Sequence, residues 1–361
     1  VLTDGTPFPH QGPLAPEQVG GRSELIDDLV ERVTARRMTA LLGPRRFGKT
    51  SVLGAVGARL EDAGTSVVRL DLYETRSSAD LVVRLDRALA ASQGRVGSRL
   101  ASLAVGSSIN LGVLKLEFAR PPAQRPDADA SLDLLLDLLV EAAGEEPTLL
   151  VVDEFTGING VAGAAGLLRT KLQHHVQEIG VLFAGSEPSA MAAMFTEQSQ
   201  PFYAQADIIE IQPFTLAELA DIVDDGFART DRHSDGLAGL VHHTTGGHPY
   251  RAMQLADAAW LRTEPGESGE AAWADALQAV RRSIAPGLEV LFSTFSNAEQ
   301  VVLRALATGR PLFGGTLELF GASSGAVQAA RDRLIGNGAL TRDLALVDPL
   351  LADWIRTTLP L

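Results

Sequence analysis

The chain has 361 residues, 45% hydrophobic and 21% charged, which is enough apolar material for more than one buried core and excludes a disordered tail or a small cross-linked scaffold. The absence of cysteine excludes disulfides, thiolate catalysis and cysteine-ligated zinc or iron–sulfur sites. A net charge of −14 argues against a general coat for polyanions, and nearly all positive charge is arginine, the lysines being Lys49, Lys115 and Lys171.

Residues 1–18 are proline-rich and polar and read as an extended lead-in, without the basic and hydrophobic regions of a signal peptide. With no apolar run of about 18 residues, the expectation is a soluble, cytoplasmic protein with no membrane partner. Helical periodicity over Glu24–Arg36 leads into the apolar run Met38–Leu42, suited to a buried strand. There follows Gly43-Pro44-Arg45-Arg46-Phe47-Gly48-Lys49-Thr50, which satisfies G-x-x-x-x-G-K-[ST] at every fixed position, and an amphipathic helix begins at Ser51. A glycine-rich loop between strand and helix offers amides and a positive helix end to the α- and β-phosphates. Lys49 would reach the β- and γ-phosphates and Thr50 would ligate Mg²⁺.

Ser66–Leu72 is the next strand and Ser78–Ala91 the next helix; Ile109–Phe118 alternates as a strand or hairpin would, and Pro121–Pro126 is an exposed loop. Helix Leu132–Glu141 precedes the strand Thr148–Val152, which ends in Asp153-Glu154. Carboxylates at the carboxyl edge of a parallel strand lie beside the ligand crevice of an open α/β sheet. Asp153 would hold magnesium through water, and Glu154 would polarise the attacking water as general base. After helix Leu167–Val176, a strand over Gly180–Ala184 ends in Gly185-Ser186, where Ser186 could bond the γ-phosphate or the water; Ile208–Ile211 is a fifth strand. Five strands alternating with helices predict a three-layer, mostly parallel α/β P-loop core over residues 19–212.

Helices at Thr215–Phe227, Asp235–His242, Pro249–Thr263 and Glu270–Ser283 predict a helical lid over 213–286. From 287 to 361 the layout is that of a winged helix-turn-helix: Asn297–Ala307, Thr316–Phe320, Ser324–Ile335, then a hairpin after Gly338. Arg331 and Arg333 on the third helix are the candidates for DNA contact, but six arginines against seven acids in residues 288–361 fit a protein-binding wing equally well.

With these motifs in order, nearly the whole chain from Val19 resembles the archaeal-type ATPases of the AAA+ and STAND P-loop superfamilies, which share the layout of replication-origin initiators. Gly20-Gly21-Arg22-Ser23-Glu24-Leu25 resembles the family's entry box beside the adenine, Gly43–Ser51 its phosphate loop including Ser51, Asp153-Glu154 its acidic pair and Gly185-Ser186 its small polar sensor. Thr245-Gly246-Gly247-His248-Pro249-Tyr250 resembles its lid motif, and Asp348 to Arg356 the D-P-x-x-x-x-W-x-R signature that closes the winged domain. The resemblance implies ATP/ADP with Mg²⁺ as ligands, Arg22, His248 and Pro249 near the nucleotide, a layout compatible with self-assembly, and DNA or protein as partner of the wing. One departure stands out: Gln205 occupies the place of the arginine in the family's P-L-Y-G-R-A, which implies slow turnover unless another arginine, such as Arg46 or Arg251, serves. The reading is a slow ATPase acting as a nucleotide-driven switch, with a DNA-binding regulator using structural ATP, or a signalling scaffold, as alternatives. The acidic pair suits water as acceptor, and no N-K-x-D sequence points to guanine.

Overall fold

The computed structural model describes residues 5–92, 97–98, 126–144, 146–314 and 323–359. The expected hairpin at 109–118, residues 121–125 of the expected loop and the short helix at 316–320 lie outside them. The chain divides into two compact units: Ser23–Gly43 with Lys49–Ile211, and Val1–Arg22 with Pro44–Gly48 and Gln212–Leu361.

The first unit is built on a five-stranded parallel sheet, β1 (Thr39–Leu42), β2 (Ser66–Asp71), β3 (Thr148–Asp153), β4 (Ile179–Gly185) and β5 (Asp207–Glu210), in the order β2-β3-β4-β1-β5. Each central strand is a continuous apolar run because helices cover parallel sheets on both faces. All seven residues of β4 are buried, whereas β5, at an edge, is exposed at Asp207, Ile208 and Glu210, and the charges of Asp207 and Glu210 discourage edge-to-edge pairing. Helix α1 (Ser23–Thr34) precedes β1, and between the strands run α2 (Lys49–Asp62), α3 (Ser78–Ala91), α4 (Ala128–Ala143), α5 (Ala164–Leu172) and α6 (Pro188–Thr196). The side chain of Ser77 caps α3 by accepting from Asp80 N, and that of Asp127 caps α4, so α4 starts four residues before the first residue of the apolar pattern, Leu132. Helix α6 begins directly after Glu187; Pro188 at its first position has the φ a helix needs and no amide to lose. The core joins leucines of α3 and α4 to β2 and β3, and a cluster of Phe155, Phe183, Phe195 and Phe202, with Phe155 and Phe183 4.3 Å apart.

The lead-in of the second unit is packed down as a strap. Phe8 is fully buried 5.6 Å from Phe227, in a core with Leu219, Val223, Val241 and Leu255. That core is made by α7 (Leu216–Ala228), which opens on a Thr215–Glu218 capping box, α8 (Leu237–Thr245), α9 (Pro249–Trp260) and α10 (Trp273–Thr294). Helix α10 continues through Pro286 to Thr294, so the division expected between residues 286 and 287 falls inside a helix. A second core, including Val302, Leu303, Leu334 and Ile355, is formed by α11 (Asn297–Ala307), α12 (Ser324–Gly336), a tight hairpin closed by the Leu340–Leu346 bridge, and α13 (Pro349–Thr358). These are the helices and hairpin of a winged module. No helix among the described residues is long and apolar enough to cross a membrane.

Candidate active site

Three neighbouring strands, β3, β4 and β1, carry Asp153-Glu154, Ser186 and the glycine-rich loop at their carboxyl ends. Gly43 ends β1 where a Cβ would stand 2.2 Å from a methyl of buried Ile211, so packing demands glycine; Gly48, at φ 85°, needs it for its backbone. Lys49 is buried and donates to Gly43 O at 2.8 Å. Thr50 Oγ1 donates to Asp153 Oδ2 at 2.7 Å, and the Glu154 amide donates to Asp153 Oδ1 at 2.9 Å.

Glu154 takes left-handed backbone angles (φ 49°, ψ 47°), strain of about 1 kcal/mol or more for a residue with a Cβ. The fixed point after it is Phe155, fully buried in the aromatic cluster, and the turn that follows is so close that a Cβ on Gly157 would meet Leu72 O at 1.9 Å. The bend brings the Glu154 carboxylate to Ser186, whose amide and Oγ both donate to Oε2, at 3.0 and 2.8 Å. Ser186 therefore holds the acidic residue, a contact that strand-end position alone did not reveal.

Burial pushes the Asp153 carboxyl up, the bonds from Thr50 and Glu154 N oppose this, and the neighbouring carboxylates of Glu154 and Asp71 add to it. Asp71 is brought there by register, paired with Asp153 across β2 and β3. Magnesium fits this donor set: an oxygen pair, Thr50 and Asp153, beside a carboxylate whose ionised form a cation would favour. Among the described residues no group of three or more His, Cys, Asp or Glu forms a metal cage.

The loop tip packs within the second unit. Pro44 is half-buried, Arg45 and Arg46 are exposed, and Phe47 is buried with its ring edge-on to His248, centroids 4.9 Å apart. Arg46 (φ 66°) places its guanidinium 4.3 Å over the Tyr250 ring. His248 is 5% exposed and caps α9 through Nδ1, which accepts from Arg251 N at 3.4 Å, with Pro249 next. Burial, with Asp348 opposing it, pushes the imidazole down to about 4. Arg22 is buried, donates to Gln212 O at 2.8 Å and lies 4.2 Å over Phe214; Ser51 is buried in the first turn of α2.

The arginines considered in place of the missing one are engaged elsewhere: Arg46 over Tyr250, Arg251 with Asp348 at 3.0 and 2.6 Å. Gln205 instead meets Arg169 of α5; with its amide oxygen turned towards the guanidinium it accepts from Nε at 3.0 Å and Nη2 at 3.2 Å. Nothing in the local sequence marked Arg169, because the pairing joins a helix to a loop 36 residues further along. In the winged module, Arg331 pairs with Asp332 at 2.7 Å and Arg333 with Glu299 at 3.1 Å.

A family model described as an ATPase domain predominantly from Archaea matches residues 22–255. A Walker-type ATPase of Pyrococcus abyssi superposes with a TM-score of 0.69 at 19% identity, over 97% of this chain and all of that one. The Aeropyrum pernix ORC2 protein in its ADP form superposes with a TM-score of 0.55 at 14% identity, over 97% of each chain, and its form with ADPNP and ADP at 0.50 and 16%, over 92% and 84%. At such identities the likeness concerns the fold. No curated protein sequence matches the chain.

Proposed function

This chain belongs to the family of ATPase domains predominantly from Archaea, and on that premise we propose that it binds ATP with magnesium and hydrolyses it slowly, as a switch whose state is passed to the winged module. The observation that carries the reading is the unbroken string of hydrogen bonds Thr50–Asp153–Glu154–Ser186, which ties the phosphate loop to a strained glutamate. Loop amides and Lys49 would bind the phosphates, and Thr50, with Asp153 through water, would hold a Mg²⁺ ion that would supply neutralising charge there. Ser186 engages Oε2 of Glu154 with two hydrogen bonds, which orients the carboxylate so that Oε1 can take a proton from water. The binding of ADP and ADPNP by the ORC2 protein lends support to an adenine nucleotide here.

Phosphate release and nucleotide binding, measured together on the parent, Lys49→Ala and Glu154→Gln, test this. Lys49→Ala should lose binding about tenfold or more, and Glu154→Gln should keep it while turnover drops at least about a hundredfold. Equal turnover in the parent and Glu154→Gln would remove the general-base assignment.

A DNA-binding regulator is the second reading, motivated by α12 with Arg331 and Arg333. Both guanidinium groups are already paired with Asp332 and Glu299, so a duplex would have to compete for them. Salt-dependent duplex binding, lost in Arg331→Ala with Arg333→Ala, would favour it; no binding at low salt leaves a protein as the module's partner.

A further inference from the structure

The second unit contains a continuous line of contacts from the cap of the last helix to the tip of the phosphate loop. Asp348 caps α13, its Oδ1 accepting from Leu350 N at 3.0 Å, and the same carboxylate receives Arg251 on two atoms, Nε at 3.0 Å and Nη2 at 2.6 Å. The Arg251 side chain is 6% exposed and that of Asp348 26%, so this forked pair is largely shielded from water. Arg251 stands in the first turn of α9, where its amide bonds the His248 ring and its guanidinium lies 5.2 Å over Tyr250. His248 meets Phe47, and Tyr250 lies beneath Arg46. Two of the five residues at the loop tip thus rest on a pair of rings whose helix is fixed by a carboxylate about 100 residues further along, at 97 residues from Arg251.

We propose that Asp348 and Arg251 are positioning residues for the phosphate loop: the forked pair holds the His248–Tyr250 pedestal, the pedestal holds Phe47 and Arg46, and the last helix thereby sets nucleotide affinity without touching the nucleotide. This deepens the switch reading and rests on it. A partner that pulled on α13 would act on the loop through Arg251. The plain alternative is that the pair only anchors α13 to α9, in which case its loss would loosen the winged module and leave the loop as it was.

Hydrogen exchange on the whole, nucleotide-free chain separates the two, because it reads the loop whether or not ATP binds. Asp348→Asn removes the charge and keeps a residue able to cap α13. Exchange of the amides of Arg45–Lys49 should quicken at least about fivefold, over and above any change in residues 323–359. His248→Asn, which can still cap α9 but has no ring for Phe47, should quicken the same amides with the ion pair untouched. The double variant should exceed the faster single one by less than about twofold, as expected for two steps on one line. In the same variants ATP binding should weaken about tenfold, whereas Asp348→Glu should recover part of the loss. Exchange in Arg45–Lys49 unchanged in both single variants overturns the proposal. Failure of the parent to bind ATP would instead overturn the nucleotide reading and be seen separately from the loop measurement.

Discussion

Two residues at this site are held in states that cost free energy, and each makes a measurable prediction. Glu154 is bent into a left-handed conformation and then clamped by Ser186, so Ser186→Ala should lower turnover about 10- to 100-fold while ATP affinity changes less than about threefold, a split between kcat and binding that marks alignment of a base. His248 is buried with its pKa at about 4, against about 6.5 in an unfolded chain, so the unfolded chain takes up the proton first. Stability due to this residue is complete above pH 6.5, falls as the pH drops towards 4 and levels off below it. The total is about 3 kcal/mol, an order-of-magnitude figure from that difference. Asp348, pushed up by burial but held below its usual range by the stronger pull of Arg251, keeps its own contribution until the pH has fallen through the carboxylate range, beneath the window of His248. Urea unfolding of the parent and His248→Asn at several pH values should therefore give curves that converge between pH 6.5 and 4. A strand ending in Asp-Glu singled out Glu154 as a candidate acid, but its contact with Ser186 was not legible, because Ser186 lies 32 residues away and only strand order makes the two neighbours.

At the scale of elements, Phe155 both closes the aromatic cluster and anchors the turn that bends Glu154. Phe155→Ala should cost about 3–5 kcal/mol, seen as a lower denaturation midpoint, with activity falling before the fold is lost. Pro286 is exposed within α10, where it removes an amide from the helix. Pro286→Ala should stabilise the chain by about 1–2 kcal/mol, less than the full helix-interior penalty because proline also restrains the unfolded chain. The same proline explains why the pattern around Ser283 read as a helix end: proline is a strong breaker in local terms, and the contacts of Leu288 and Phe292 on the far side override it. The five strands, by contrast, were legible because parallel strands buried on both faces leave continuous apolar runs. The phosphate loop was legible because its glycines and Lys49 are dictated by local backbone and ligand geometry. The pairings Arg251–Asp348, Arg169–Gln205 and Phe8–Phe227 were not, since each joins segments whose proximity depends on the finished fold.

For the molecule as a whole, the strap at the N-terminus and the tip of the phosphate loop belong to the unit that also holds the helices after Gln212. A fragment spanning 23–211 retains the sheet and its core, so it should keep a helical circular dichroism signal, yet bind ATP at least about tenfold more weakly than the full chain, as titration calorimetry would read. Equal affinity would mean that the tip organises itself. The chain passes between the units after residues 22, 43, 48 and 211, which has a consequence for inheritance. Units joined by a single linker can be exchanged by one recombination event, and each arrives complete. Here an exchange of everything after Ile211 would bring in helices fitted to some other Phe47 and Arg46, and a foreign counterpart for Phe8. Descendants in which the two parts changed together would keep a working loop, so divergence should proceed by matched substitution across the break rather than by the shuffling of parts.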